Sequence, residues 1–308
     1  MKSLTYLSKE RTMGTTASAL KLRASLLVLP AALAAAGWLW LNFAFPDFAP
    51  AGIPNTVTLI LTFNGIILIG LWRGLLRTDF TATARVAVWL GIAVPYILWT
   101  AVIWGLAVHG AFRPIRGPIR AVPALPAAIL LPVVVGLVLL TNSRRIGSLL
   151  DATPPSWLIG VQVYRVLGGI FLVNWVRGAM PGAFALPAGI GDIVVGLLAL
   201  PAALWVSWGL PGGTKVGSGW NLLGLADFAV AIATGMMTSP GRFQVLALDH
   251  PNAQIGTFPI VMIPAFAVPS SILQHALSLR QLRRVERRAA DVGIVEHAGR
   301  RAPDPEPV

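Results

Sequence analysis

The sequence predicts an all-α, polytopic membrane protein: a bundle of eight transmembrane helices with both termini in the cytoplasm. Three observations carry this prediction. The chain is 56% hydrophobic and 12% charged over 308 residues, whereas soluble proteins carry roughly 25% charged residues. The charges are segregated, so that long uncharged runs of about 20 residues, the length that crosses a bilayer, alternate with short polar stretches. The basic residues also fall mainly on one side of the membrane when the runs are threaded through it.

The expected spans are Ala24–Phe45, Val57–Leu76, Val86–Val108, Val122–Leu140, Trp157–Val176, Ala183–Trp208, Trp220–Met237 and Phe258–Leu279. The first follows basic residues and contains Ala34-Ala35-Ala36, as a cleaved signal peptide would. Its apolar run continues to Phe45, longer than the 7–15 residues of a signal core, so it reads as a retained helix. Met13 is a plausible alternative start that leaves this span intact. The fourth span is interrupted by Pro123, Pro126 and Pro132, which membrane helices tolerate when neighbours satisfy the freed carbonyls.

With the N-terminus inside, Arg113, Arg116, Arg120, Arg177 and Arg242 fall outside and Arg165 lies within the membrane. Every other Lys and Arg of the 24 falls on the cytoplasmic side, in keeping with the positive-inside rule. The loop Phe112–Ala121, with three Arg outside, is the exception. The chain thus divides into a cytoplasmic segment 1–23, a membrane bundle 24–279 and a tail 280–308 that is first basic and then, with Pro303, Pro305 and Pro307, disordered. The basic tail is expected to anchor the topology and to meet anionic lipid headgroups, at about 1 kcal/mol per basic residue near the surface. Arg-rich and rich in Ala, Gly and Pro, the composition is that of a GC-rich bacterium, so a bacterial inner membrane is the expected location.

Several classes are excluded. The net charge of +12 follows from topology and not from nucleic-acid binding. There is no Cys, and His109, His250, His275 and His297 lack metal-ligand spacing, so no metal or other cofactor is expected. No P-loop, dinucleotide fingerprint or nucleophile elbow occurs, and no loop is long enough to fold as a separate catalytic domain.

Polar residues at bilayer depth cost roughly 2.5–3.5 kcal/mol each when charged, and so mark candidate sites. The first four spans offer Asn42, Asn64 and Tyr96. The last four, residues 157–279, hold Gln162, Tyr164, Arg165, Asn174, Asp192, Asn221, Asp227, Gln274 and His275. From a rise of about 1.5 Å per residue, Arg165 and Asp227 share a level roughly 12 Å deep and can pair. Asp192 falls nearer the outer face and His275 nearer the cytoplasmic mouth. Ser271, Gln274, His275 and Ser278 form one helical stripe, and Gln162 shares a face with Arg165. Asn174 points away from Arg165, toward the headgroups.

The sixth span repeats in the seventh: Gly189-Ile190-Gly191-Asp192-Ile193-Val194-Val195-Gly196-Leu197 against Gly224-Leu225-Ala226-Asp227-Phe228-Ala229-Val230-Ala231-Ile232. Small residues one turn either side of each Asp let a neighbouring helix approach closely. One acid can ionise against Arg165. The other lacks a full-time cation and tends to hold its proton, because an unpaired charge is costly in hydrocarbon. This suits a proton-handling acid and a neutral structural acid alike. Pro259, Pro264 and Pro269 are expected to kink the last span.

From Trp157 to Leu282 the chain resembles a group of uncharacterised bacterial multi-pass inner-membrane proteins. The resemblance rests on Ile159-Gly160-Val161-Gln162-Val163-Tyr164-Arg165, Leu186-Pro187-Ala188-Gly189-Ile190-Gly191-Asp192 and Trp220-Asn221-Leu222-Leu223-Gly224-Leu225-Ala226-Asp227. It implies neither an activity nor a site. Three roles stay open: a non-transporting accessory, sensor or assembly component, with a membrane partner or a second copy of the chain; a proton-coupled secondary transporter of a small molecule or ion, with Arg165, Asp192, Asp227 and His275 on its pathway; and an intramembrane lipid-modifying enzyme with His275 as base.

Overall fold

A computed structural model describes residues 32, 33, 36, 37, 40, 44, 53–113 and 124–299. Most of the first expected span, including residue 42, most of the 112–121 loop and the residues after 299 lie outside the described residues. Among the described residues the structure is all-helical, without strands. In chain order the helices are α1 (Ile53–Leu75), α2 (Ala82–Val108), α3 (Ala124–Asn142), α4 (Arg144–Ala152), α5 (Ser156–Val176), α6 (Gly182–Ser207), α7 (Gly213–Thr238) and α8 (Val268–Gly299). Of these, α2, α3, α5, α6 and α7 are long and apolar enough to cross a membrane. They match the third to seventh expected spans. The described part of α1 that is apolar, Leu59–Leu75, is shorter.

The helices divide by burial. In the most apolar window of α5 and α6, 44% and 39% of residues are buried, against 17% in α2 and 11% in α3. α5 and α6 are therefore central, and α2 and α3 form a rim whose Leu98, Val102, Leu131 and Leu139 are exposed. Such a wide apolar surface suits hydrocarbon as solvent. α6 and α7 run antiparallel as the most closely associated pair, and α6 also lies along the middle of α5.

Two departures from regular helix place the site. The middle of α5, Val161–Gly169, winds as a 3-10 helix between α-helical ends Ser156–Gly160 and Ile170–Val176. Three residues per turn put i, i+3 and i+6 in one line, and Gln162, Arg165 and Gly168 are indeed buried together. The second departure precedes α8. The expected span from Phe258 is not one kinked helix: regular helix starts at Val268, after a π-helical turn, Ile263–Ala267, that contains Pro264. Proline has no N–H to donate and so resists regular α winding here.

α8 also runs past the expected end at Leu279, continuing to Gly299. The first turns of the basic tail are thus helical and docked. Arg280 donates to the carbonyls of Leu140 and Ser143 at 2.8 and 3.0 Å. Gln281 donates to Leu150 and Thr153, and Arg284 Nε reaches Asp151 Oδ1 at 2.7 Å with a second bond to Oδ2. Their receptor, α4, is short and amphipathic. Its Ile146, Leu149 and Leu150 are buried against Leu75 and Val88, and Ser143 caps its N-terminus.

The hydrogen bonds from Arg284, more than the nearby Arg288, hold the Asp151 carboxyl below its ordinary range. A lowered carboxyl contributes stability that is full above its unfolded value, about 3.9, and is lost as pH falls through the folded one. Both partners are partly exposed, so the latch contributes about 1 kcal/mol at most. Asp151→Asn at neutral pH is expected to raise the rate of tryptic cleavage at Arg283–Arg288 by up to about fivefold. Wild type should approach the variant's protection, measured with an acid-active protease, once pH falls below the lowered value. An unchanged cleavage rate would show that the latch carries no stability.

Candidate functional site

Where α5, α6, α7 and α8 meet, one arginine organises a buried ion cluster. Arg165 Nε donates to Asp192 Oδ1 at 2.8 Å, and its Nη2 donates to Asp227 Oδ2. Its Nη1 faces His275 Nε2 at 3.3 Å and the Gly224 carbonyl at 3.4 Å. The guanidinium lies 3.8 Å from the centre of the Phe228 ring, a cation–π contact that strengthens out of water. The Arg165 side chain is 1% exposed, those of Asp192 and Asp227 13% and 9%.

This corrects the expected depths. Asp192 does not lie nearer the outer face than Asp227. α6 and α7 are antiparallel, so the two acids stand opposite one another, and a Cβ at Gly191 would strike the Asp227 carboxylate. Nor is His275 nearer the cytoplasmic mouth than Arg165: it is 1% exposed and its Nε2 lies 3.3 Å from Arg165 Nη1. Asn174 does not reach the headgroups either: it is buried and donates to the Ile170 carbonyl at 2.8 Å.

His275 has a definite tautomer. Asn221 Nδ2 donates to the Gly217 carbonyl at 2.8 Å and to Ser278 Oγ at 2.9 Å, which turns Asn221 Oδ1 toward His275 Nδ1, 2.9 Å away. An amide oxygen only accepts, so Nδ1 carries the hydrogen and Nε2 accepts from Arg165. The ring packs on Trp220, centroid to centroid 4.9 Å.

The rest of the expected residues join across α5 and α8. Gln162 donates to Gln274 at 3.3 Å, and the Tyr164 hydroxyl bonds Ser271. The α8 stripe Ser271, Gln274, His275 and Ser278 is buried throughout. All eight candidate residues therefore fall in one region. Apolar layers flank it at either end: Ile159, Val195, Ala199 and Trp220 on the basic side, and Phe171, Met180, Phe184 and Ile260 on the other.

Glycines make the assembly possible. A Cβ at Gly168 would strike Asp192, one at Gly224 would strike His275, and one at Gly196 would come within 2.7 Å of the Val166 backbone nitrogen. The small residues flanking the acids thus admit α5 and α8, as the repeat implied. Gly168 and Phe228 were not singled out in the sequence. The spacing of three between Gln162, Arg165 and Gly168 is the signal that points to Gly168, once a 3-10 winding is considered.

Two cavities reach the cluster. One, about 280 Å³, is walled by Phe63, Phe228, Phe266 and aliphatic side chains, with Tyr164, Arg165, Asp192 and Ser271 among its polar lining. The second, about 570 Å³, extends from Asp192 and Phe228 to Arg113 and Arg242 at the end away from the basic tail. Asp192 borders both. Among the described residues no group of acids, His or Cys is placed to hold a metal ion.

The family described as a domain of unknown function (DUF8737) matches residues 119–283, and the chain belongs to that family. The match takes in α3 through the docked start of the tail, including every member of the cluster. No curated protein and no solved structure matches the chain.

Proposed function

We propose that this DUF8737 protein is a multi-pass inner-membrane protein of bacteria, with eight spans and both termini inside, and that it works as a proton-coupled secondary transporter of a small molecule. The observation that carries the reading is Asp192: an acid in the ion cluster that opens onto two cavities. Buried acids facing a cavity are the usual proton-handling groups of membrane carriers. Broken helices beside such a site, as in α5 and before α8, are a second mark of transporters. Exposed Arg73, Arg77, Arg144, Arg145, Lys215, Arg283 and Arg287 gather at one end, which supports a cytoplasmic side held against anionic headgroups. A reporter fused after Val308 reads that side, and anionic lipid retained on purification reads the contact.

The engagement of all three Arg165 side-chain nitrogens favours a second reading, an accessory or assembly component whose cluster is a structural bolt. His275, enclosed and bonded at both ring nitrogens, gives the lipid-enzyme reading little support. Proton flux into liposomes under an imposed pH gradient separates the first two. Wild type is expected to conduct, and Asp192→Asn to reduce the flux by about tenfold or more. No flux in wild type, or unchanged flux in both Asp192→Asn and Asp227→Asn, would sink the transporter reading.

A further inference from the structure

We propose that the 280 Å³ cavity takes a small apolar monoanion, of the size and kind of an aromatic carboxylate, and takes it together with one proton. The proposal rests on the transporter reading and assigns its substrate class.

Volume sets the size. A water molecule, one non-hydrogen atom, takes about 30 Å³ in the liquid, so the cavity has room for a ligand of on the order of ten non-hydrogen atoms. The walls, Phe63, Phe228, Phe266 and aliphatic neighbours, suit an apolar body. Polarity sets the head group. Arg165 brings its Nε–H to one wall, beside Tyr164 and Ser271, whose hydroxyl hydrogens are taken, Tyr164's by Ser271 and Ser271's by the Ala267 carbonyl. Asp192 is the acceptor beside them, and Arg165 Nε engages it at 2.8 Å. A carboxylate is the natural partner of a guanidinium edge.

That edge is taken while Asp192 is ionised. The groups facing Asp192 are Arg165 and Tyr164 from α5 and, across the guanidinium, Asp227 from α7 and His275 from α8. Arg165 is fixed by Asp227, by the Gly224 carbonyl and by the Phe228 ring, so an entering cation has a pinned guanidinium to displace. A proton displaces nothing. It adds to Asp192, whose carboxyl then releases Nε–H, and the ligand's carboxylate accepts that hydrogen. One negative charge leaves the wall as another arrives, so the buried net charge is the same before and after. No covalent bond to carbon forms or breaks. The same balance makes entry electroneutral, which spares the site a new charge in hydrocarbon.

The test is calorimetric titration of the full chain in lipid nanodiscs with benzenesulfonate. This anion stays charged at any working pH, so protons taken up belong to the protein. Two buffers of different ionisation heat give the proton count. About one proton per anion is expected for wild type. Asp192→Asn, monodisperse by size exclusion, should bind with no uptake and about tenfold tighter above neutral pH. Phe63→Trp, which narrows the cavity beside Tyr164 and leaves Arg165 and both acids in place, should weaken binding whether or not the Asn variant folds. Binding without proton uptake in wild type, tighter binding of benzylammonium, or unchanged affinity in Phe63→Trp overturns the proposal. If liposome flux follows Asp192 while benzenesulfonate fails to bind, the substrate class falls and the transporter reading stands.

Discussion

Replacing Arg165 with Leu is expected to cost about 3–5 kcal/mol and to lower recovery of monodisperse protein sharply. The substitution strands two carboxylates, 13% and 9% exposed, that share this one guanidinium. It also removes the donor to His275 Nε2 and to the Gly224 carbonyl. The loss should not be mended by the added apolar contact, because a buried charge without a partner costs more than a Leu side chain returns. Asp227→Asn alone should destabilise less, since Arg165 keeps Asp192. Combined with Arg165→Leu it should recover part of the yield, because one stranded acid is gone. Thermal unfolding of the two single variants and the double variant forms a cycle that measures the coupling. A strictly additive cycle would show that Arg165 and Asp227 do not stabilise one another.

The second large effect is expected at Gly196. A Cβ there meets the Val166 backbone nitrogen at 2.7 Å and the Arg165 carbonyl carbon at 3.2 Å. Neither backbone atom can move unless α5 moves with it. Gly196→Leu should cost about 1–3 kcal/mol or more by overpacking, and should reduce proton flux because the displaced segment carries Arg165. Gly235→Ala is the control. Its Cβ would sit 3.5 Å from the Phe184 ring, an ordinary contact, so melting temperature and flux should stay near wild type. Equal losses at the two glycines would count against this account of the packing.

Much of the candidate site was legible because charged residues in hydrocarbon are rare. Arg165, Asp192, Asp227 and the α8 stripe stood out on cost alone, and they converge. The concentration of polar groups in the second half of the chain was legible for the same reason. Depth was less so. Counting residues from span ends assumed uniform α-helix and well-placed ends, and α5 winds as 3-10 while α8 begins late and ends late. The docking of Arg280, Gln281 and Arg284 on α4 was also illegible. Their partners lie more than 125 residues away in sequence, and a run of Arg after a span reads simply as a topological signal. Asp151 gave no cue, being one acid in a polar connection.

The 3-10 stretch of α5 has a consequence for length and twist. A 3-10 helix rises about 2.0 Å per residue and an α-helix about 1.5 Å, at 120° and 100° per residue. Rewinding the nine residues of Val161–Gly169 as α-helix would shorten the segment by about 4–5 Å and turn its ends about half a revolution against each other. Gln162, Arg165 and Gly168 would then no longer stand in line. The pitch of this one segment is a single mechanical coordinate, tying how far the helix reaches across the bilayer to whether Arg165 looks at its two acids.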